Sequence, residues 1–248
     1  MIDLHAHILP GIDDGARTLE EARELARRSA ADGVRAIAAT PHVRADYPTG
    51  ATQMEQGVAA LRADFAAELI PVEVLTGGEV DLQALADLPP DDLRRFTLAG
   101  GSYLLLEFPY RGWPLALDTA VHALCADGLT PLLGHPERNP EVQDRPDRIE
   151  ALVEAGARVQ VTAASVDGRL DEASRSTAFR LLELGLVHAL ASDAHGRGIR
   201  AAGLATAVRA IGDRALGDYL TNEAPAAIVA GEPLPARTPR LSPGTASS

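Results

Sequence analysis

The 248-residue sequence contains no lysine, and all 23 of its basic residues are arginine. This absence excludes a P-loop lysine, a Schiff-base lysine and a carbamylated lysine that bridges metal ions. The single cysteine, Cys125, excludes an internal disulfide and lies in a helix-like run of small apolar residues. We interpret Cys125 as a packing residue, so thiol-dependent catalysis is excluded.

Long apolar runs and an excess of positive charge are also missing. No run approaches the roughly 18–20 residues that cross a bilayer, so we expect no direct membrane insertion. The formal net charge of −12 argues against a broad nucleic-acid-binding face. The residues after Met1 have neither the basic start nor the apolar stretch of a signal peptide. One cysteine is typical of a reducing compartment, and we expect a cytoplasmic protein.

Short apolar runs alternate with helical patterns along most of the chain. Seven strands are predicted, at residues 2–5, 33–40, 72–80, 103–108, 128–135, 156–163 and 185–192. Helices are predicted between them, including one capped by Thr18 and others at 51–69, 114–126, 172–184 and 203–216. This alternation indicates an α/β fold with a parallel sheet, and the chain length favours a closed barrel. The barrel is predicted to occupy residues 1–231, followed by a Pro- and Ser-rich flexible tail at 232–248.

Imidazoles and carboxylates are concentrated at the carboxyl ends of these strands. The histidines there are His5, His7, His42, His135 and His195, and the acids are Glu79, Glu107 and Asp193. In a barrel of parallel strands all these ends meet on one face. His5 and His7 point to the same side, because side chains alternate along an extended chain. The pattern predicts a metal site, whereas His122 and His188 fit no such position and are interpreted as structural.

The ligand types and their number indicate several divalent ions. Imidazole and carboxylate ligands without thiolates suit Mn²⁺, Fe²⁺ or Zn²⁺. Three sets are predicted: His5, His7, Glu79 and Asp193; Glu79, Glu107 and His135; and His42 and His195 with an acid from the turn after His7. Spacing leaves Asp13 and Asp14 open for the third set, and Asp14 is our choice. Glu79 would bridge two ions through its two oxygens.

Charge then indicates the substrate. Three divalent ions and four carboxylate ligands leave about +2 on the cluster, which favours a compact anion such as phosphate. Divalent ions ionise water near neutral pH for attack on phosphorus and screen the phosphoryl oxygens. Arg138 and Arg200 lie close in sequence to the ligands and suit bidentate phosphate binding. Arg197 is the alternative to Arg200.

Five motifs carry a family resemblance. They are DLHAHILPGIDDG (residues 3–15), ATPH (39–42), EFP (107–109), HPER (135–138) and SDAH (192–195). The sequence resembles the bacterial PHP-type protein-tyrosine phosphatases of capsular and exopolysaccharide synthesis, from about residue 1 to 231. The resemblance implies a distorted (β/α)7 barrel, a trinuclear site often holding manganese, and substrate-binding and catalytic roles for Arg138 and Arg200. It also implies a substrate, the phosphotyrosine tail of a bacterial tyrosine kinase that controls polysaccharide export.

Two positions depart from the family pattern, and three alternative functions stay open. Val43 stands where relatives often have a second histidine, and Thr162 replaces a polar amide. Both bear on how a phosphotyrosine ring is seated. The alternatives are a PHP phosphatase for a small metabolite such as histidinol phosphate, a TatD-type nuclease, and a non-catalytic regulator that binds a kinase tail.

Overall fold

The computed structural model describes residues 1–196, 198 and 201–235, which form ten strands and twelve α-helices. The strands are β1 (Ile2–Ala6), β2 (Ala36–Ala39), β3 (His42–Arg44), β4 (Tyr47–Pro48), β5 (Glu73–Leu75), β6 (Glu79–Val80), β7 (Tyr103–Glu107), β8 (Thr130–Gly134), β9 (Arg158–Thr162) and β10 (Ala189–Ala191). All the strand pairs are parallel except the hairpin of β3 and β4.

The helices lie between the strands, as the sequence pattern predicts. They are α1 (Leu19–Ala31), α2 (Ala51–Ala67), α3 (Leu82–Asp87), α4 (Pro90–Arg95), α5 (Leu117–Ala126), α6 (Pro140–Asp144), α7 (Arg148–Glu154), α8 (Ala163–Val166), α9 (Glu172–Leu184), α10 (Leu204–Ile211), α11 (Arg214–Asp218) and α12 (Ala224–Ala230). The Thr18 hydroxyl accepts a hydrogen bond from the Glu21 amide at 3.2 Å, which caps α1. The Glu21 carboxylate accepts instead from the Arg17 amide, so the reciprocal half of a capping box is not formed.

Two sheets position the strand ends. One has the order β1-β2-β5, and the other β10-β9-β8-β7-β6-β3-β4. The chain passes from β5, at one edge of the first sheet, to β6, which lies between β7 and β3 in the second. At the other edge, the Asp193 amide donates to the His5 carbonyl and the His7 amide donates to the Ala194 carbonyl, both at 2.9 Å. The carboxyl ends of β1 and β10 are therefore neighbours.

Both faces of the central strands are buried, as expected for a parallel sheet covered by helices. In β7, Leu104 and Leu106 belong to the core beneath the helices, and Tyr103 and Leu105 belong to a second core on the opposite face. Glu107 follows on the same face as Leu105, because side chains alternate along a strand. The α/β class with a mostly parallel sheet is confirmed, while the seven-stranded barrel stays a prediction.

Two predicted elements are interrupted. The strand predicted at 72–80 divides into β5, which pairs with β2, and β6, which pairs with β3 and β7, and Gly77 and Gly78 lie in the break. A Cβ at Gly78 would lie 2.6 Å from the Phe96 ring. The helix predicted at 203–216 divides into α10 and α11, because the Asp213 side chain accepts from the Leu216 amide at 3.0 Å and starts a new helix.

Among the described residues, no helix combines the length and apolar character needed to cross a bilayer. Residues 236–248, most of the predicted tail, lie outside the described residues. Within the part that is described, the Glu232 carbonyl accepts a hydrogen bond from the Tyr103 hydroxyl at 2.9 Å.

Candidate metal centre

All nine residues predicted as metal ligands come together at the carboxyl ends of the strands. They form four overlapping groups whose potential ligand atoms lie within 4.8 Å of one another: His7, Asp14, His42 and His195; His5, His7 and Asp193; His5, Glu79 and His135; and His42, Glu79 and Glu107. Only Asp14, with 36% of its side chain exposed, reaches the surface to a large extent. The structure thus gathers residues from six separate stretches of chain into one buried cluster.

Four of these residues, His5, His7, Glu79 and Asp193, lie close to one another, and their side-chain contacts define five of their six separations. The Nε2 atoms of His5 and His7 lie 3.2 Å apart. Each lies 3.4 Å from Glu79 Oε2, and they lie 3.4 and 3.5 Å from Asp193 Oδ1. Tetrahedral ligands about 2.0–2.1 Å from a metal ion lie about 3.3–3.4 Å from one another. These five separations match those of ligands around one divalent ion, and His5, His7 and Asp193 form one of the four groups, while the complete first set stays a prediction.

Glu79 occupies the centre of the cluster. Its Oε2 lies 2.9 Å from His42 Nδ1, in addition to its contacts with His5 and His7. Its other oxygen, Oε1, lies 2.8 Å from His135 Nε2. The two oxygens thus face different histidines, which is the arrangement needed for a carboxylate that bridges two ions.

Strand register explains how His42 and Glu107 reach Glu79. In the parallel pairing of β3 with β6, His42 lies directly opposite Glu79, and Glu79 lies opposite Leu105 of β7. Glu107 is two residues beyond Leu105 and so shares its face. His42 therefore begins a strand of its own, instead of simply following the second predicted strand. Pro41, which has no backbone N–H, separates it from that strand.

The second predicted set is divided between two groups. Glu107 lies beside His42, with its Oε2 3.8 Å from His42 Nδ1, whereas His135 lies with His5 and Glu79. The Arg44 guanidinium donates to Glu107 Oε1 at 2.9 Å. Because Arg44 occupies one oxygen of Glu107, that carboxylate is turned toward β3.

The turn after His7 distinguishes Asp14 from Asp13. Asp14 Oδ1 lies 3.4 Å from His42 Nε2 and 3.3 Å from His195 Nε2, which agrees with our choice of Asp14 for the third set. Asp13 instead orients two of the cluster residues. Its Oδ2 accepts hydrogen bonds from His7 Nδ1 at 2.7 Å and from the His42 amide at 3.0 Å. A histidine held in this way presents its Nε2 lone pair to a metal ion.

Gly15 allows this turn to pack on His7. A Cβ at Gly15 would lie 2.1 Å from the His7 carbonyl oxygen and 2.4 Å from the His7 Cβ. Gly15→Ala is therefore expected to lower the free energy of unfolding by about 3 kcal/mol, as measured by urea denaturation. Gly50→Ala is the control, because nothing lies within 4 Å of the added Cβ. Equal stability losses in both variants would contradict the prediction.

Several residues that hold the cluster residues in place were not predicted from the sequence. Gln160 Oε1 lies 3.0 Å from His5 Nδ1 and orients that ring. Buried Asp3 accepts from the Ser192 amide at 2.9 Å, which ties β1 to the loop before Asp193. Gln160 and Asp3 could have been noticed in the sequence as polar residues inside otherwise apolar strands. His135 and Asp193 have positive φ angles of 41° and 49°, a strained conformation that no motif reveals.

Electrostatics favour positive charge in the cluster. Burial opposes ionisation of Glu79, but the surrounding imidazoles of His5, His135 and His42 hold the pKa of its carboxyl well below the usual range. Burial likewise opposes ionisation of Asp193, and His5 and His7 hold its pKa well below the usual range. Burial lowers the pKa of His42, yet hydrogen bonds with Asp14 and Glu79 raise it overall, to about 9. Glu79 and Asp193 thus stay ionised and attract cations. Burial and the neighbouring Glu79 instead raise the pKa of the Glu107 carboxyl to about 7.

Of the two predicted arginines, the structure describes Arg138. Its Nη1 donates to Asp193 Oδ2 at 2.8 Å, on the side of Asp193 opposite the oxygen that faces His5 and His7. The guanidinium lies 4.8 Å from the centre of the Tyr110 ring, and that ring stacks on His135 at 5.3 Å. Arg200 and its alternative Arg197 lie outside the described residues.

Glu137 holds the loop that carries Arg138. Its Oε1 accepts from the Thr162 amide at 2.9 Å and from the Ser165 hydroxyl at 2.7 Å, inside the protein. Burial raises the pKa of this carboxyl from 4.5 to about 7. The folded protein therefore binds this proton more tightly than the unfolded chain does. The contribution of Glu137 to stability is greatest below pH 4.5 and is lost as the pH rises through 7.

Glu137→Gln is expected to remove this pH dependence. Between about pH 4.5 and pH 8 the parent should lose roughly 3 kcal/mol of unfolding free energy relative to the variant. Urea denaturation in a chelator at several pH values measures the difference. Glu154→Gln, at an exposed site on α7, is the control. Parallel pH profiles of the Glu137→Gln variant and the parent would contradict the assignment.

The fold and the site define a class: an α/β protein with a candidate multinuclear metal centre at the carboxyl ends of parallel strands. The chain belongs to the CpsB/CapC family of capsular polysaccharide synthesis, whose family model matches residues 1–226. This membership confirms the family resemblance carried by the five motifs.

Known relatives agree with this assignment. The tyrosine-protein phosphatase YwqE of Bacillus subtilis is 34% identical over 196 residues, which cover 79% of this chain and 77% of the relative. The putative tyrosine-protein phosphatase CapC of Staphylococcus aureus is 29% identical over 199 residues, with the same coverage of 79% and 77%. A chain from the crystal structures of YwqE from Bacillus subtilis and CpsB from Streptococcus pneumoniae, described as unique metal-dependent tyrosine phosphatases, matches with a TM-score of 0.85 and 31% identity. That match covers 98% of this chain and 99% of the other.

Proposed function

We propose that this protein is a metal-dependent phosphomonoesterase that hydrolyses phosphotyrosine on a bacterial tyrosine kinase controlling capsular or exopolysaccharide synthesis. The observation that carries the proposal is the buried cluster centred on Glu79, with a guanidinium at its edge. The names of the related phosphatases support the tyrosine-phosphate substrate. The acidic, single-cysteine chain supports a cytoplasmic location, with residues 1–231 as the catalytic unit and 232–248 as a tail.

The ligand set supports three divalent ions, with manganese our first choice and iron or zinc the alternatives. His5, His7, Glu79 and Asp193 would hold the first ion. Glu79 and His135 would hold the second together with Glu107, which in this structure lies on the His42 side of Glu79. Asp14, His42 and His195 would hold the third. When bound, such ions neutralise phosphoryl oxygens and lower the pKa of a water that attacks phosphorus.

The protein's own residues position the phosphoryl group. Arg138 carries five N–H donors, of which the described contacts use one for Asp193. The others can donate to phosphoryl oxygens, and Asp193 keeps the guanidinium beside the cluster. Arg200 is proposed to contribute a second guanidinium. Because Cys125 lies in α5, away from these strand ends, no thiol takes part in the reaction.

The test is hydrolysis of phosphotyrosine peptides by protein reconstituted with Mn²⁺, together with elemental analysis of protein purified without chelators. We expect Mn²⁺-stimulated release of phosphate that iodoacetamide does not inhibit, and about three ions per chain. Much faster turnover of histidinol phosphate would reassign the protein to the small-molecule phosphatases. A metal-loaded protein inert toward every phosphoester would support a regulator that binds the kinase tail.

A further inference from the structure

A groove opens beside the metal cluster, on the side of β7. It has a volume of about 360 Å³, and its lining includes Arg44, Leu82, Glu107, Tyr110 and Pro114. Glu107 also belongs to the ligand cluster, so the groove begins where a bound phosphoryl group would lie. Its volume is within the range of roughly 300–1,000 Å³ that is typical of small-molecule sites.

The lining of the groove is suited to a flat apolar group. Leucine and proline side chains cannot hydrogen-bond, and the Tyr110 ring adds an aromatic surface. Arg44 is the cation on this wall, and its charge is directed to Glu107 at 2.9 Å and to Asp46 at 2.9 Å. A bulky anion deeper in the groove would therefore find little free positive charge, whereas an uncharged ring would lose water from both faces.

Tyr110 lines this wall and contacts both His135 and Arg138, with 38% of the residue exposed. Its ring is nearly parallel to His135, with an interplanar angle of 16°, and the Arg138 guanidinium lies 4.8 Å from the ring centre. One aromatic residue thus joins the apolar groove to the arginine proposed to bind phosphate.

We propose that this groove is the subsite for the aromatic ring of the substrate, with Leu82 and Tyr110 as residues that determine specificity for aryl over alkyl phosphates. The inference rests on the proposed function for the location of the phosphoryl group. A substrate without a ring, such as a phosphoserine peptide, would leave the groove unfilled. Apolar burial of the ring would then provide the discrimination, at roughly tenfold in affinity.

Binding of two phosphonates, neither of which can be hydrolysed, tests the subsite without turnover. Calorimetric titration of the Mn²⁺-loaded full chain compares phenylphosphonate with methylphosphonate. The wild-type protein should bind phenylphosphonate about tenfold more tightly. Leu82→Trp fills the groove and should abolish this preference, with the affinity for methylphosphonate changed less than twofold. Gln83→Trp, at an exposed position of the same wall, is a second variant that leaves the core intact.

Ala86→Trp, also exposed on α3 but facing a neighbouring groove, should keep the tenfold preference. Equal binding of the two phosphonates by the wild-type protein, or an unchanged preference in both groove variants, would overturn the subsite. A parallel loss of affinity for both phosphonates would overturn it as well. A preserved preference without hydrolysis of phosphotyrosine peptides would instead contradict the proposed function.

Discussion

Glu79→Gln is expected to lower kcat/KM for a phosphotyrosine peptide by about a thousandfold or more, together with a loss of bound metal. Glu79 contacts His5, His7, His42 and His135 through both its oxygens. Glutamine preserves the volume but removes the negative charge and one of the two acceptor oxygens. If Glu79 bridges two ions as proposed, its loss would remove several kcal/mol of charge stabilisation from the site, which corresponds to this rate effect.

Glu73→Gln provides the control for this substitution. Glu73 begins β5 in the same stretch of chain, but it is exposed and far from the strand ends that form the cluster. The control should keep the activity and metal content of the parent. Full activity of the Glu79→Gln variant, or unchanged metal content, would refute the bridging role of Glu79.

Arg138→Ala is expected to separate phosphate binding from metal binding. The guanidinium contacts the cluster only through Asp193 Oδ2, the oxygen that does not face His5 and His7. Elemental analysis should therefore find the metal content of the parent. The KM for a phosphotyrosine peptide should rise about a hundredfold, because a partly buried guanidinium that binds the phosphoryl group contributes about this much.

Arg148→Ala is the matched control for this second substitution. Arg148 also stacks on an aromatic ring, with its guanidinium 4.0 Å from the centre of Trp113, and it pairs with Glu141. It contacts none of the cluster residues, so kinetic constants should stay within twofold of the parent. Equal activity of the Arg138→Ala variant and the parent would remove Arg138 from the proposed mechanism. Loss of metal in that variant would assign it a structural role instead.

These experiments also test the functional site that was predicted from the sequence. The nine residues that meet in the cluster, the alternation of helices and strands and the family could all be predicted from the sequence. Each depends on a local rule: the two-residue period of His5 and His7, the position of Glu107 after an apolar run, and the convergence of parallel strand ends. The first two rules need only the order of residues along one segment, and the third needs only the alternation of strands and helices along the chain.

Other features depend on contacts between distant segments. The choice of Asp14 as a ligand and Asp13 as a support follows from where β3 places His42. The division of the second ligand set follows from the salt bridge between Arg44 and Glu107. The break between β5 and β6 follows from the pairing of β5 with β2 in one sheet and of β6 with β3 and β7 in the other. The roles of Gln160 and Tyr110 and the groove at Leu82 also could not be predicted from the sequence, because each depends on contacts between distant segments. A single segment carries its own periodicity and chemistry, whereas register, close approach and the pairing of buried charges are properties of two or more segments packed together.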